Sequence, residues 1–112
     1  MKLPGGAAAI VETSKLRGYC LNPRHPRGRH KARVFLSVLG LEQGDADFLR
    51  TALMDAARDG DAAAGESDEY GDRYIVDFKV IRGVREATVR SAWILLRGES
   101  APRLTSWFVL LD

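Results

Sequence analysis

The apolar residues of this chain keep a helical spacing through its first half and switch once, close to residue 73, to strict alternation. Leu16, Tyr19 and Cys20 share one helical face. Lys31, Phe35, Val38 and Leu39 recur at helical spacing ahead of Gly40, and Phe48, Leu49, Ala52, Leu53, Ala56 and Ala57 form a further stripe. From Tyr74 the period is two: Tyr74, Val76, Phe78 and Val80 alternate with Ile75, Asp77 and Lys79. A pattern that changes once cannot wind a parallel sheet, which needs helices between its strands, so the expected class is α+β with helices packed on a carboxyl-terminal antiparallel meander.

Breakers set the boundaries. Thr13 or Ser14 would cap a helix over 15–21, and Asn22-Pro23-Arg24-His25-Pro26-Arg27-Gly28 ends it, since each proline disfavours helix in the residue before it. A second helix is predicted over 30–39 with Gly40 as carboxyl cap, and a third over 45–58. Ala7–Val11 reads as a short strand. Asp59–Asp72, rich in alanine, glycine and acids, reads as an exposed loop. The sheet then occupies 73–111, with a hairpin at Arg82-Gly83-Val84-Arg85 and strands over 87–96 and 104–111. A length of 112 residues gives one core, so 1–112 is a single domain.

The net charge of +2 hides a segregated distribution. Lys15, Arg17, Arg24, Arg27, Arg29, Lys31 and Arg33 fall in one stretch without a carboxylate, while the rest of the chain holds ten basic against fifteen acidic residues. Such a patch draws polyanions by releasing their counterions; the alternative is a solvated basic face that serves solubility. With 46% hydrophobic residues and no long apolar run, the chain is neither a disordered tail nor a membrane protein. Pro4, Gly5 and Gly6 interrupt the start where a secretion signal needs continuous hydrophobicity, and a lone Cys20 suits a reducing compartment, so the cytoplasm is expected.

Both histidines lie in the patch, within His25-Pro26-Arg27-Gly28-Arg29-His30-Lys31. Histidine can move a proton near neutral pH, and adjacent cations can hold a phosphate and stabilise a pentacoordinate intermediate. The alternative is a surface turn whose histidines cap helix ends. In the second strand of the meander Thr88, Arg90, Ala92 and Ile94 face one way, and Val89, Ser91, Trp93 and Leu95 the other. Arg90 is either a phosphate ligand or the partner of Asp77. Thr105 and Ser106 open the last strand as possible donors to phosphate, and Trp93 and Trp107 belong to the core rather than to a stacking platform. Cys20, His25 and His30 lack any recognised ligand spacing, and no glycine loop links a strand to a helix, so neither a metal nor a cofactor is expected.

Leu21-Asn22-Pro23-Arg24-His25-Pro26-Arg27-Gly28-Arg29-His30-Lys31-Ala32-Arg33-Val34-Phe35, together with Tyr70–Tyr74, Ala87–Ile94 and Pro102–Ser106, resembles an uncharacterised bacterial domain family of about this length. That family in turn resembles the barnase/EndoU/colicin/RelE superfamily of small ribonuclease toxins. The resemblance implies a cleft lined by His30, Lys31, Arg90, Thr105 and Ser106 that cuts RNA without a metal. His30 would act as general base or acid, Lys31 and Arg90 as phosphate ligands, and Thr105 or Ser106 as orienting donors. Arg24, His25, Arg27, Arg29 and Arg33 would bind RNA around it, and a small cognate antitoxin is the implied protein partner. The other readings are a non-catalytic nucleic-acid-binding or interaction module, and an antitoxin or immunity protein.

Overall fold

The computed structural model describes residues 1–111. Helix α1 opens as a single α-helical turn over Thr13–Lys15 and continues as a π-helix over Leu16–Cys20. Helices α2, Arg29–Leu39, and α3, Ala46–Asp59, follow. Strands β1, Ala62–Ser67, β2, Gly71–Arg82, β3, Arg85–Leu96, and β4, Arg103–Val109, complete the chain. All neighbours in the sheet are antiparallel, in the order β1-β2-β3-β4, so the molecule is an α+β domain with three helices ahead of a four-stranded meander. Among the described residues no helix is long and apolar enough to cross a membrane.

Alternation along the strands sorts the sheet into two faces. Val76, Val89, Ser91, Trp93, Leu104, Trp107 and Val109 are buried against the helices. From above come Leu16 and Cys20 of α1, Phe35 and Leu39 of α2, and Leu49 and Leu53 of α3, all fully buried. A polar side chain in such a core needs partners. Ser91 has two: its Oγ donates to the Val76 carbonyl at 2.7 Å and accepts from Trp93 Nε1 at 2.9 Å. The opposite face, with Ile75, Asp77, Arg90, Ala92, Ile94 and Phe108, carries no helix and is half-buried or exposed.

Three expectations are corrected. Ala7–Val11 is not a strand: Gly6–Ala8 form a 3₁₀ turn, and Ile10 makes only an isolated parallel bridge to Arg103. The first helix begins at Thr13 rather than Lys15 and ends at Cys20. Its wide turn is closed by the Leu21 amide on the Leu16 carbonyl at 2.9 Å, which keeps Leu16, Cys20 and Leu21 together in the core. Asp59–Asp72 is not a loop, because Ala62, Ala63 and Ala64 pair with Val76, Ile75 and Tyr74. Only Ala62 of β1 is buried, so the strand is held by its ladder to β2 and leaves little hydrophobic signature in the sequence.

Two glycines fix the ends of the basic helix. Gly40 adopts the left-handed conformation, φ 68°, that closes α2. Gly28 has an ordinary φ, but a Cβ there would collide with the Tyr19 carbonyl oxygen. The start of α2 can therefore rest directly on the end of α1.

Candidate functional site

The segment between α1 and α2 is tied into one rigid turn by its own side chains. Asn22 Oδ1 accepts the Arg24 amide at 2.9 Å. His25 Nδ1 accepts the amides of Arg27 and Gly28, both at 3.0 Å. With Nδ1 committed as an acceptor, any proton on the neutral ring sits on Nε2. The ring also stands edge-on to Tyr19 with centroids 4.8 Å apart. His25 is thus a structural residue of this turn, whereas His30, on the first turn of α2, is exposed and makes no hydrogen bond among the described residues.

Beside this turn lies a cluster in which aromatic rings hold a cation over a thiol. The Lys31 ammonium sits 5.3 Å from the Trp107 ring centroid and 5.6 Å from that of Tyr19. Its pKa is pushed below the usual lysine value by burial, an effect the Cys20 thiol beneath it partly opposes. Cys20 Sγ accepts the Trp107 Nε1 hydrogen at 2.8 Å. Burial raises the thiol to about 11, outweighing the Trp107 hydrogen bond and the charge of Lys31, which both lower it. A thiol so protonated is neither a nucleophile nor a ready metal ligand. Among the described residues no three of His, Cys, Asp and Glu come together as a metal site, so Cys20, His25 and His30 form no ligand set.

Charge pairing divides the surface. Of the ten lysines and arginines outside Lys15–Arg33, seven (Arg58, Arg73, Lys79, Arg82, Arg90, Arg97 and Arg103) form ion pairs. Lys2, Arg50 and Arg85 bond backbone carbonyls instead. Among the described residues, none of the seven basic side chains from Lys15 to Arg33 makes an ion pair or donates a hydrogen bond. Lys31 has its aromatic seat, and the other six are exposed. Arg29 and Arg33 line a groove of about 490 Å³ floored by Leu21, Ala32, Leu36 and Leu41. His30 and Lys31 line a smaller one of about 200 Å³ with Val34, Phe35, Phe108 and Val109.

Arg90 stands on the helix-free face. Its Nε and Nη2 donate to Asp77 Oδ1 and Oδ2, each at 2.9 Å, leaving Nη1 outside this fork. The bond holds the Asp77 carboxyl below its usual range and raises the guanidinium. Thr105 is the extra residue where the β3–β4 register shifts, and its Oγ1 donates to the Ala92 carbonyl at 3.0 Å. Ser106 pairs with Ala92 on the same face, half-buried.

The residues expected in one cleft are therefore parted by the sheet. Lys31 rests on Trp107, whose register partner is the buried Ser91, while Arg90 and Ser106 project from the other side. The single cleft is corrected to two groups astride the edge strand β4. Alternation already put Arg90 and Ser91 on opposite faces; what it lacked was which face the helices cover. Tyr19 and Trp107 were legible as apolar residues but not as the seat of Lys31, since nothing in their spacing records a contact between α1, α2 and β4. Phe108 was not singled out at all.

In comparison with known proteins, a family model described as a domain of unknown function (DUF6883) matches residues 2–111. No curated protein and no solved structure matches the chain.

Proposed function

The chain belongs to the DUF6883 family, and we propose that it binds RNA through the Lys15–Arg33 surface and cuts it without a metal. The observation that carries this reading is that, among the described residues, the seven cations of this surface form no ion pair while every other lysine and arginine has a carboxylate or carbonyl partner. Folding could have neutralised them against the acidic surplus elsewhere; instead the positive surface stays free to exchange its counterions for phosphates. Cleavage is supported by the groups at its border. His30 is exposed and able to exchange a proton with a bound strand, and Lys31 beside it is half-desolvated, its pKa moved toward neutrality. The resemblance read in the sequence to ribonuclease toxins would imply the same chemistry: the RNA 2′-hydroxyl gives its proton to a base and attacks the adjacent phosphate, the bond to the 5′-oxygen breaks and that oxygen takes up a proton from an acid, and arginine and lysine stabilise the phosphorane between. The corresponding biological reading is a cytoplasmic toxin held in check by an acidic antitoxin over this surface.

Purified protein on total RNA in EDTA tests it. Cleavage with 2′,3′-cyclic phosphate ends is expected, and His30→Ala should slow it roughly a hundredfold to ten-thousandfold. Uncut RNA, a need for a divalent metal, or indifference to both His30→Ala and Arg90→Ala would overturn the catalytic part. A non-catalytic RNA-binding module then takes its place, a reading favoured by the Asp77 fork on Arg90 and by its position across the sheet from Lys31. Growth arrest on induced expression, relieved by His30→Ala, tests the toxin.

A further inference from the structure

One aromatic side chain lies between the two halves of the divided site. Phe108 lies on the edge strand β4 between buried Trp107 and Val109, and is 37% exposed. Across the β3–β4 ladder its register partner is Arg90, so the two side chains leave the same face of the sheet. At the same time Phe108 lines the small groove with His30 and Lys31. The other exposed aromatic residues are placed differently. Tyr70 is flanked in sequence by Asp68, Glu69 and Asp72, which repel a phosphate backbone, and the Phe48 ring is covered by the Arg82 guanidinium at 4.9 Å.

We propose that Phe108 is a stacking platform for an unpaired nucleobase of the bound RNA, at the point where the strand crosses the β4 edge from His30 and Lys31 to Arg90. The inference rests on the RNA-binding reading and adds to it the class of substrate: a single strand. A base inside a duplex is stacked on its neighbours and cannot lie on a protein ring, whereas an unpaired base offers its face to any exposed aromatic. Cations on both sides of the ring hold the flanking phosphates, Lys31 on the helical side and Arg90, through the Nη1 outside its Asp77 fork, on the other. The parting of the candidate residues by the sheet then becomes a path for the strand over its edge.

The test uses the full chain and two RNAs, a single-stranded oligonucleotide carrying 2-aminopurine and a blunt duplex, titrated at low salt. The wild type is expected to quench the 2-aminopurine on binding. Phe108→Ala and Phe108→Leu, the second keeping apolar bulk without an aromatic face, should abolish the quench. Both should weaken the single strand by roughly five- to a hundredfold, as loss of one base–aromatic stack does. Neither should change the affinity for the duplex, and Phe108→Tyr should restore the wild-type behaviour. If the wild type binds the single strand and both variants bind and quench it equally well, stacking on Phe108 is overturned and the RNA-binding reading stands. If the wild type binds neither RNA, the RNA-binding reading falls and this inference with it.

Discussion

Cys20, Lys31 and Trp107 are three residues whose properties belong to their contacts. An alkyl thiol in water ionises near its ordinary value, but in the core the thiolate would lose its hydration, and one indole hydrogen bond and a nearby ammonium do not replace it. The consequence for stability has a definite sign. A thiol held protonated in the native state supports folding fully below the ordinary value of 9.0 and loses that contribution as pH rises toward about 11. The loss is about 3 kcal/mol at most for a shift of this size. Lys31 acts in the opposite sense. Its lowered pKa makes the native state prefer the neutral amine, so it regains stability as pH rises through the window just below 10.5. Denaturant midpoints between pH 8 and 11 are therefore expected to fall more steeply for the wild type than for Cys20→Ala. Parallel curves for the two proteins would refute the assignment.

At the scale of elements, the junction of α1 with α2 and the strand β1 were the least legible parts of the sequence. Asn22–Gly28 announces a turn, but that the turn is locked by His25 Nδ1, and that Gly28 is required because Tyr19 presents its carbonyl to it, depends on how two helices meet. The sequence motif and the structural need are distinct here, since Gly28 has no positive φ to explain it. Gly28→Ala should destabilise the fold by about 1–3 kcal/mol, the usual cost of overpacking. It should also loosen the turn, which urea denaturation and amide exchange of Arg27 and Gly28 would register. A variant as stable as the wild type, with both amides still protected, would show that the close approach is not needed. By contrast α2 and α3 were readable almost to the residue, because a helix on a core writes its period into its apolar positions. An alanine-rich edge strand writes almost nothing.

At the scale of the whole molecule, the segregation of charge visible along the chain survives folding as segregation of ion pairs. Acidic residues from Asp45 to Glu99 find their arginines mostly on the sheet and on α3, while among the described residues the cations from Lys15 to Arg33 find no carboxylate. RNA affinity should therefore respond to salt in proportion to the cations of that one surface. Arg29→Gln and Arg33→Gln are each expected to reduce the slope of log affinity against log salt by roughly 0.7, the value for one phosphate contact on a single strand, whereas Arg58→Gln should leave it unchanged. Filter binding across a salt series distinguishes these outcomes, and an equal effect of all three substitutions would mean that net charge alone, not the patch, governs binding.

What the sequence by itself determined is the class of fold, the antiparallel order of its last three strands, the basic character of the segment from Lys15 to Arg33 and the alternation that sets Arg90 apart from Ser91. These are properties of period and composition, which local spacing encodes. Only the tertiary structure decided which sheet face the helices cover, and hence that Arg90 pairs with Asp77 on the bare face while Lys31 settles between Tyr19 and Trp107 on the other. The reason is physical. Burial and pairing depend on which elements approach one another across long stretches of chain, and neighbouring residues carry no record of that approach.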